Sequence, residues 1–237
     1  MKTYSFQTKP CILILYMVFV CYVRISAQDT PVVDYLQQAK YYADIYNGRI
    51  EPVYSPMVYE DLPYYKNADF TDASFVYRDN YYPNQKVRLD LFKEQLIILP
   101  PEKRFGIIVG SQNVDRVFMY NRTFILLDPP KESGIKKGYY IQLLEGEKVK
   151  LFCKETYSIR QKQLTYAFDH KITYYLLYNN RYYTVKNKGS FSKLFPQYKK
   201  QINQYAKDHK LNFRQDVEVS LTSLAQYCEE LITSTNK

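Results

Sequence analysis

The middle of the chain alternates apolar and polar residues in short runs, which is the period of half-buried β-strands. Val87, Leu89 and Leu91 alternate with charged residues, and residues 95–99 form an apolar run that predicts a strand buried on both faces. Prolines end that run, because proline cannot donate a hydrogen bond to a ladder. We expect further strands at residues 74–77, 81–82, 105–109, 114–120, 123–127, 139–144, 149–154, 174–178 and 181–185.

The links between these runs are short and rich in turn residues. Asn179 and Asn180 separate two runs and are typical of a two-residue hairpin, because Asn tolerates the left-handed backbone that such turns need. Between about residues 70 and 185 no long helical pattern interrupts the strands. A parallel βαβ fold is therefore disfavoured, and we predict an antiparallel meander, a sandwich or an open barrel.

Both ends of the chain have a helical period instead. Residues 33–47 carry apolar positions three to four apart, and Gly48 follows as a stop. Near the C-terminus we predict two helices, one capped by Ser190 or delayed to Pro196, and one over about residues 215–233. Residues 49–67 are rich in Pro and Tyr and predict an extended arm or a tether. The fold class is α+β, mainly β, with a short N-terminal helix and two C-terminal helices.

The first 27 residues are typical of a secretory signal. Lys2 and Lys9 precede an apolar run of thirteen residues, 11–23, and Ala27 offers a cleavage site. The run is shorter than the roughly 20 apolar residues of a spanning helix; an uncleaved anchor is the alternative. We predict a signal peptide (1–27), a helix with a Pro/Tyr-rich arm (28–68) and a β-rich domain (69–237). The protein is expected to be exported, either periplasmic or cell-surface/secreted, with no transmembrane segment after cleavage.

Removal of the signal changes charge and cysteine content. The formal net charge of +9 falls to +6, because the segment holds three basic residues and no acid. The remaining lysines are interspersed with acids, which is typical of a solvated surface; the alternative is contact with acidic partners. Nucleic acid is an unlikely partner of an exported protein. Two cysteines remain, Cys153 and Cys228, which either form a disulfide or fill the core as separate thiols.

Tyrosine is the unusual component of the composition. The chain has 27 Tyr and no Trp, and six pairs are adjacent in sequence, at 41–42, 64–65, 81–82, 139–140, 174–175 and 182–183. In a strand, such a doublet sends its two rings to opposite faces. We predict a binding surface from the arm and from the hairpin, where aromatic pairs could also form across the strands: Tyr64, Tyr65, Tyr174, Tyr175, Tyr182 and Tyr183. High strand propensity of Tyr is the simpler explanation.

Residues typical of catalysis are sparse. His170 and His209 each lie between Asp and Lys, without ligand-spaced partners, and neither a nucleophile elbow nor a Gly-rich phosphate loop occurs. We predict no catalytic, cofactor-binding or metal residues and no cofactor. Asp90, Glu94 and Asp115 could still meet in space as a glycosidase pair, although each also suits a turn or a solvent-facing position. Asn121 fits either a glycosylation sequon or a tight turn, and we favour the turn.

Several segments resemble a family of exported proteins of anaerobic Gram-negative bacteria that has no assigned function. The resemblance rests on residues 42–48 (YADIYNG), 51–52 (EP), 62–65 (LPYY), 88–91 (RLDL), 138–140 (GYY) and 211–214 (LNFR). These motifs are structural, and none is a catalytic signature. The resemblance implies export and a β-rich body with terminal helices, and it supplies no active site.

Together these patterns favour an exported, non-enzymatic protein of the cell envelope that binds or scaffolds a glycan or protein partner through a Tyr-rich surface. The alternatives are a glycan-active hydrolase with dispersed carboxylates and a structural accessory subunit of an envelope complex. An acidic cleft would favour the hydrolase. An exposed aromatic patch without such a cleft would favour binding or assembly.

Overall fold

A computed structural model describes residues 30–39, 43–101 and 103–235. The predicted signal peptide and residues 40–42 of the predicted N-terminal helix lie outside these ranges. Ten strands make up most of the described chain: β1 Thr71–Tyr77, β2 Asn80–Asp90, β3 Gln95–Ile98, β4 Ile107–Ile108, β5 Val114–Met119, β6 Arg122–Leu127, β7 Gly138–Glu145, β8 Val149–Gln161, β9 Tyr166–Tyr178 and β10 Arg181–Val185.

The ten strands form one antiparallel open sheet in the order β10-β9-β8-β7-β6-β5-β1-β2-β3-β4. Neighbours in sequence are neighbours in the sheet except at one point, where the chain leaves β4 and β5 pairs with β1. The predicted fold class, α+β and mainly β with an antiparallel meander, is therefore confirmed. The sheet is open and does not close into a barrel.

Tight turns join the strands where the sequence predicts them. Asn179 and Asn180 have φ angles of 47° and 60° and connect β9 to β10. Tyr120 and Asn121 have φ angles of 51° and 55° and connect β5 to β6. Asn121 thus lies in the tight turn that we expected there.

Four α-helices flank the sheet in the described chain: α1 Thr30–Ala39, α2 Lys188–Leu194, α3 Lys199–Asp208 and α4 Val217–Thr235. The described part of the N-terminal helix is Thr30–Ala39, and a separate 3-10 turn covers Asp44–Tyr46, so the predicted helix does not extend to residue 47. The prediction that Ser190 caps the next helix is wrong: the Asn187 side chain accepts hydrogen bonds from the amides of Gly189 and Ser190 at 2.9 and 3.3 Å. Pro196 then opens a 3-10 turn that divides the first predicted C-terminal helix in two.

The sheet has an inner face, which all four helices approach, and an outer face. Inner-face residues of β1, β5, β6 and β7 form the central core, on which α1 packs. Inner-face residues of β8, β9 and β10 form a second core with α2, α3 and α4. The inner face is therefore the buried layer along most of the sheet, and none of the described helices is long and apolar enough to cross a membrane.

An arm, residues 49–65, packs against β2 and β3 on one side and against the β8–β9 hairpin on the other. The β8–β9 hairpin extends well beyond β7 and β10, and its far half packs on this arm. Tyr59 of the arm bridges to Tyr166, and the Asp61 carboxylate accepts a hydrogen bond from the Phe168 amide at 2.8 Å. The arm is thus a packed part of the fold rather than a tether. The far half of the hairpin was absent from the predicted strands.

The two cysteines within the described residues are free and buried, Cys153 in the central core and Cys228 in the second core. The disulfide that the sequence left open is not formed. Burial raises the pKa of each thiol to about 12, and the thiolate is the reactive species. We expect both thiols to resist a thiol reagent such as DTNB at pH 8 in the folded protein, and to react promptly in denaturant. Rapid reaction of either thiol in the folded protein would contradict this arrangement.

Candidate functional site

The two tyrosines predicted on the arm lie in the interior. Tyr64 and Tyr65 are each 4% exposed. The Tyr64 hydroxyl donates to the Glu51 carboxylate at 2.6 Å, and the Tyr65 ring packs edge-on against Phe124 with centroids 4.8 Å apart. The prediction that these two rings belong to a binding surface is wrong, because the arm folds back onto the sheet and buries both.

The four tyrosines of the β9–β10 hairpin divide between the two faces. Thr184 lies opposite Tyr175 and Leu177 lies opposite Tyr182, which places these residues on the outer face. Tyr174 packs against both inner cores, and Tyr183 pairs with the buried inner residue Leu176. The expected division of each doublet is therefore observed. The expected aromatic pairs across this hairpin are not formed, because the register places Tyr opposite Leu, Thr or Val.

Tyr175 and Tyr182 belong to a group of apolar side chains on the outer face, which we call the outer aromatic patch. Tyr140 and Tyr175 make an edge contact with centroids 6.1 Å apart, and Phe152 lies 6.2 Å from Tyr182. The patch spans β6 to β10 and comprises Ile125, Leu127, Tyr140, Phe152, Tyr175, Leu177 and Tyr182. Tyr140 and Phe152 are buried at its base, and Tyr175 and Tyr182 are partly exposed.

Such a patch is unusual on the solvent side of an antiparallel sheet, which is normally polar. Ile135, from the loop before β7, packs on part of it, and the helices lie on the opposite face. Hydrogen-bonding side chains adjoin the patch. The register puts Gln142 beside Phe152, Thr184 beside Tyr175 and Lys150 beside Leu177. The patch can therefore offer apolar ring surfaces and polar groups to the same ligand.

The three carboxylates that could have formed a glycosidase pair differ in burial: Asp90 is buried, Glu94 is partly exposed and Asp115 is exposed. Asp90 is 1% exposed; its carboxylate accepts hydrogen bonds from the amides of Phe92 and Lys93 at 2.9 and 2.8 Å and from the Tyr54 hydroxyl at 2.8 Å. Burial raises the pKa of Asp90. The third candidate, Asp115, is exposed on β5 and pairs with Arg116 at 3.5 Å. Asp90 therefore fixes the β2–β3 turn and the arm.

Glu94, which is partly buried, makes a second set of contacts at the same turn. Its carboxylate forms an ion pair with Lys154 of β8 and accepts the Tyr139 amide at 2.7 Å, while the Lys154 ammonium donates to the Tyr139 carbonyl at 2.9 Å. Burial raises the pKa of Glu94 and lowers the pKa of Lys154. A Cβ at Gly138 would lie 2.5 Å from the Glu94 carboxylate, and its φ of 153° also favours glycine. This ion pair joins the β2–β3 turn to β7 and β8.

A second charge pair, Arg88 with Glu51, holds the arm from its N-terminal side. Arg88 pairs with Glu51, donates to the Ala68 carbonyl at 2.8 Å, and lies over the rings of Tyr64 and Phe70 at 4.5 and 4.4 Å. Sequence reasoning missed this set, although the alternating pattern around Arg88 shows that its side chain points away from the inner core. In this fold the outer side of β2 lies beneath the arm.

The two histidines make ordinary surface contacts. His170 lies 2.9 Å from Glu155 and stacks on Tyr157, and His209 stacks on Tyr205 with centroids 3.9 Å apart. Over the part of the chain that the structure describes, no three His, Cys, Asp or Glu side chains are grouped so that they could hold a metal ion.

A groove of about 630 Å³ lies between α1 and the ends of β2 and β3. Val33, Leu36, Tyr46 and Leu99 line it, together with Pro100 and other residues. Its size and apolar lining fit a small-molecule site. This groove was not predicted from the sequence, because its walls come from segments far apart in the chain.

The chain was compared with known proteins, and no relative was found. No protein-family model, no curated protein and no solved structure matches the chain.

Proposed function

We propose that the protein is an exported, non-enzymatic component of the cell envelope that binds a glycan chain through the outer aromatic patch. The observation that carries this proposal is a group of apolar and aromatic side chains on the sheet face opposite the helices, with Tyr175 and Tyr182 partly exposed. Sugar rings present flat C–H faces that pack on aromatic rings and hydroxyls that need hydrogen-bond partners. The patch and its neighbours Gln142, Lys150 and Thr184 supply both.

The contacts of Asp90 and Glu94 favour binding over hydrolysis. A glycosidase needs two carboxyl groups on either side of a bound sugar. Asp90 and Glu94 are instead engaged by Tyr54, by Lys154 and by backbone amides beneath the arm. The secretory pattern of residues 1–27 and the resemblance to exported proteins support a location in the envelope.

Glycan binding is testable with residues 28–237 on an array of bacterial envelope polysaccharides. We expect the wild-type protein to bind, and the Tyr175→Ala/Tyr182→Ala variant to bind at least about tenfold more weakly, because aromatic contacts contribute about 0.5–1.5 kcal/mol each beyond burial. Tyr81→Ala is the matched control: Tyr81 is a strand tyrosine that is 40% exposed and lies outside the patch. It should bind as the wild type does.

Three results would refute the proposal. These are no binding to any glycan, equal binding by the double variant, or equal loss in the Tyr81 control. Thermal melting of each variant separates lost binding from lost folding. Capture of a protein from native envelopes, with no glycan bound, would support the accessory-subunit hypothesis instead.

A further inference from the structure

The two edge strands of the sheet, β4 and β10, differ in whether another segment of the chain covers them. At the β4 end the arm covers the edge: Ile50 bridges to Ile107, and the Glu51 amide donates to the Gly106 carbonyl at 2.9 Å. At the other end, β10 pairs with β9 and with no other strand of the sheet. A strand in that position presents backbone donors and acceptors that another strand can use.

The turn at Asn179 and Asn180 fixes which backbone groups point outward from β10. In a two-residue hairpin the flanking residues, here Tyr178 and Arg181, form a hydrogen-bonded pair. Such pairs alternate along an antiparallel ladder, so the backbone groups of residues 181, 183 and 185 turn toward β9. The N–H and C=O groups of Tyr182 and Thr184 therefore point away from the sheet.

The centre of β10 lacks the devices that usually protect an edge. Proteins place Lys, Pro or a bulge there. Residues 182–184 are Tyr, Tyr and Thr, and the pairing of β10 with β9 is regular throughout. The half of the β8–β9 hairpin that pairs with neither β7 nor β10, by contrast, carries exposed charged side chains such as Arg160, Asp169 and Lys171.

We infer that β10 binds β10 of a second copy of this chain, antiparallel and across a twofold axis at Tyr183. Tyr182 of each copy then lies opposite Thr184 of the other, and the outward groups form four N–H to carbonyl hydrogen bonds between the copies. An isologous contact requires a surface that is complementary to itself. The outward groups at positions 182 and 184 are symmetric about Tyr183, so β10 meets that requirement.

The side chains are compatible with the same register. Thr184 already lies opposite Tyr175 within the sheet, so a Tyr opposite Thr184 repeats an existing pair. Arg181 of each copy lies opposite Val185 of the other, which keeps the two guanidinium groups at opposite ends of the contact. Tyr182 is part of the outer aromatic patch, so pairing places the patches of the two copies side by side.

The test is the mass of the protein in solution, measured by analytical ultracentrifugation from micromolar to several hundred micromolar. We expect a dimer for the wild type. Thr184→Pro removes an outward N–H and no bond to β9, so it should weaken association at least tenfold and leave the monomer folded. Thr184→Val keeps the N–H and is the matched control, which should dimerise normally.

Amide hydrogen exchange of the wild type tests the same contact without a substitution. The amides of Tyr182 and Thr184 should exchange quickly at low concentration and slowly at high concentration, whereas that of Tyr183 should be protected at both. A wild type that stays monomeric, or a dimer in which the Tyr182 and Thr184 amides stay unprotected, overturns the inference. Protection of these amides only on addition of another envelope protein would also overturn it, because the partner is then not a second copy.

Discussion

Lys154→Met is expected to lower the free energy of unfolding by about 3 kcal/mol, the low end of the range for a broken buried ion pair, because it leaves the partly buried Glu94 carboxylate without its cation. Lys154 is 4% exposed, and its ammonium pairs with Glu94 and donates to the Tyr139 carbonyl. Methionine fills similar space but carries no positive charge, so it cannot neutralise the Glu94 carboxylate. Urea denaturation at pH 7, followed by circular dichroism, measures the loss.

The second half of this experiment restores the charge balance. In Glu94→Gln/Lys154→Met the amide oxygen can still accept the Tyr139 N–H and no net charge is buried, so most of the lost stability should return. A lower pH should also reduce the loss of unfolding free energy in Lys154→Met. Burial raises the pKa of Glu94 and Lys154 opposes that rise, so without Lys154 the folded protein takes up a proton at Glu94 more readily than the unfolded chain as the pH falls. A double variant as unstable as the single one would show that the ion pair is not the cause.

Phe168→Ala should cost about 3–5 kcal/mol, the usual range for removing a buried phenylalanine, and should loosen the arm. The Phe168 ring is 6% exposed, with ring centroids 5.5 Å from Tyr54, 5.7 Å from Tyr59 and 5.2 Å from Phe92. Without it the arm loses its main apolar contact with the hairpin. Chymotrypsin should then cleave after Tyr54 or Tyr59 in native buffer, and mass spectrometry identifies the cut.

Phe118→Ala is the control for this prediction. Phe118 is also a strand phenylalanine, but it is 36% exposed on the outer face. We expect a loss below about 1 kcal/mol and no cleavage in the arm. If Phe168→Ala leaves the arm resistant to the protease, the hairpin is not what holds it.

Local sequence patterns were sufficient for most strands of the sheet. The alternation at Val87, Leu89 and Leu91 and the Asn179–Asn180 turn identified strands and a hairpin, because each depends on neighbours a few residues away. The doublet argument was also correct for Tyr81 and Tyr82, of which the first is 40% exposed and the second 6%. Strand period alone decides which of two adjacent rings faces the core.

The features that the sequence did not reveal depend on distant partners. Residues 155–161 and 166–173 were not predicted as strands, because charged and apolar side chains mix on a hairpin that packs mainly on the arm. Tyr64 and Tyr65 looked exposed because a proline-rich segment has no period that marks a buried side. Glu94 and Lys154 are 60 positions apart, and no local pattern connects them. The outer aromatic patch was predicted only in part, through Tyr175 and Tyr182.

The position of the arm also bears on how the molecule folds. Asp61 of the arm bonds to the Phe168 amide across 107 positions of sequence, so the arm leaves the ribosome long before the strand that it contacts. Contacts of such long range form slowly, because loop-closure entropy is lost before they contribute stability. Until then the apolar surfaces of Tyr54, Tyr59 and Phe168 stay open to solvent. The arm is therefore expected to dock last, and its docking completes the structure.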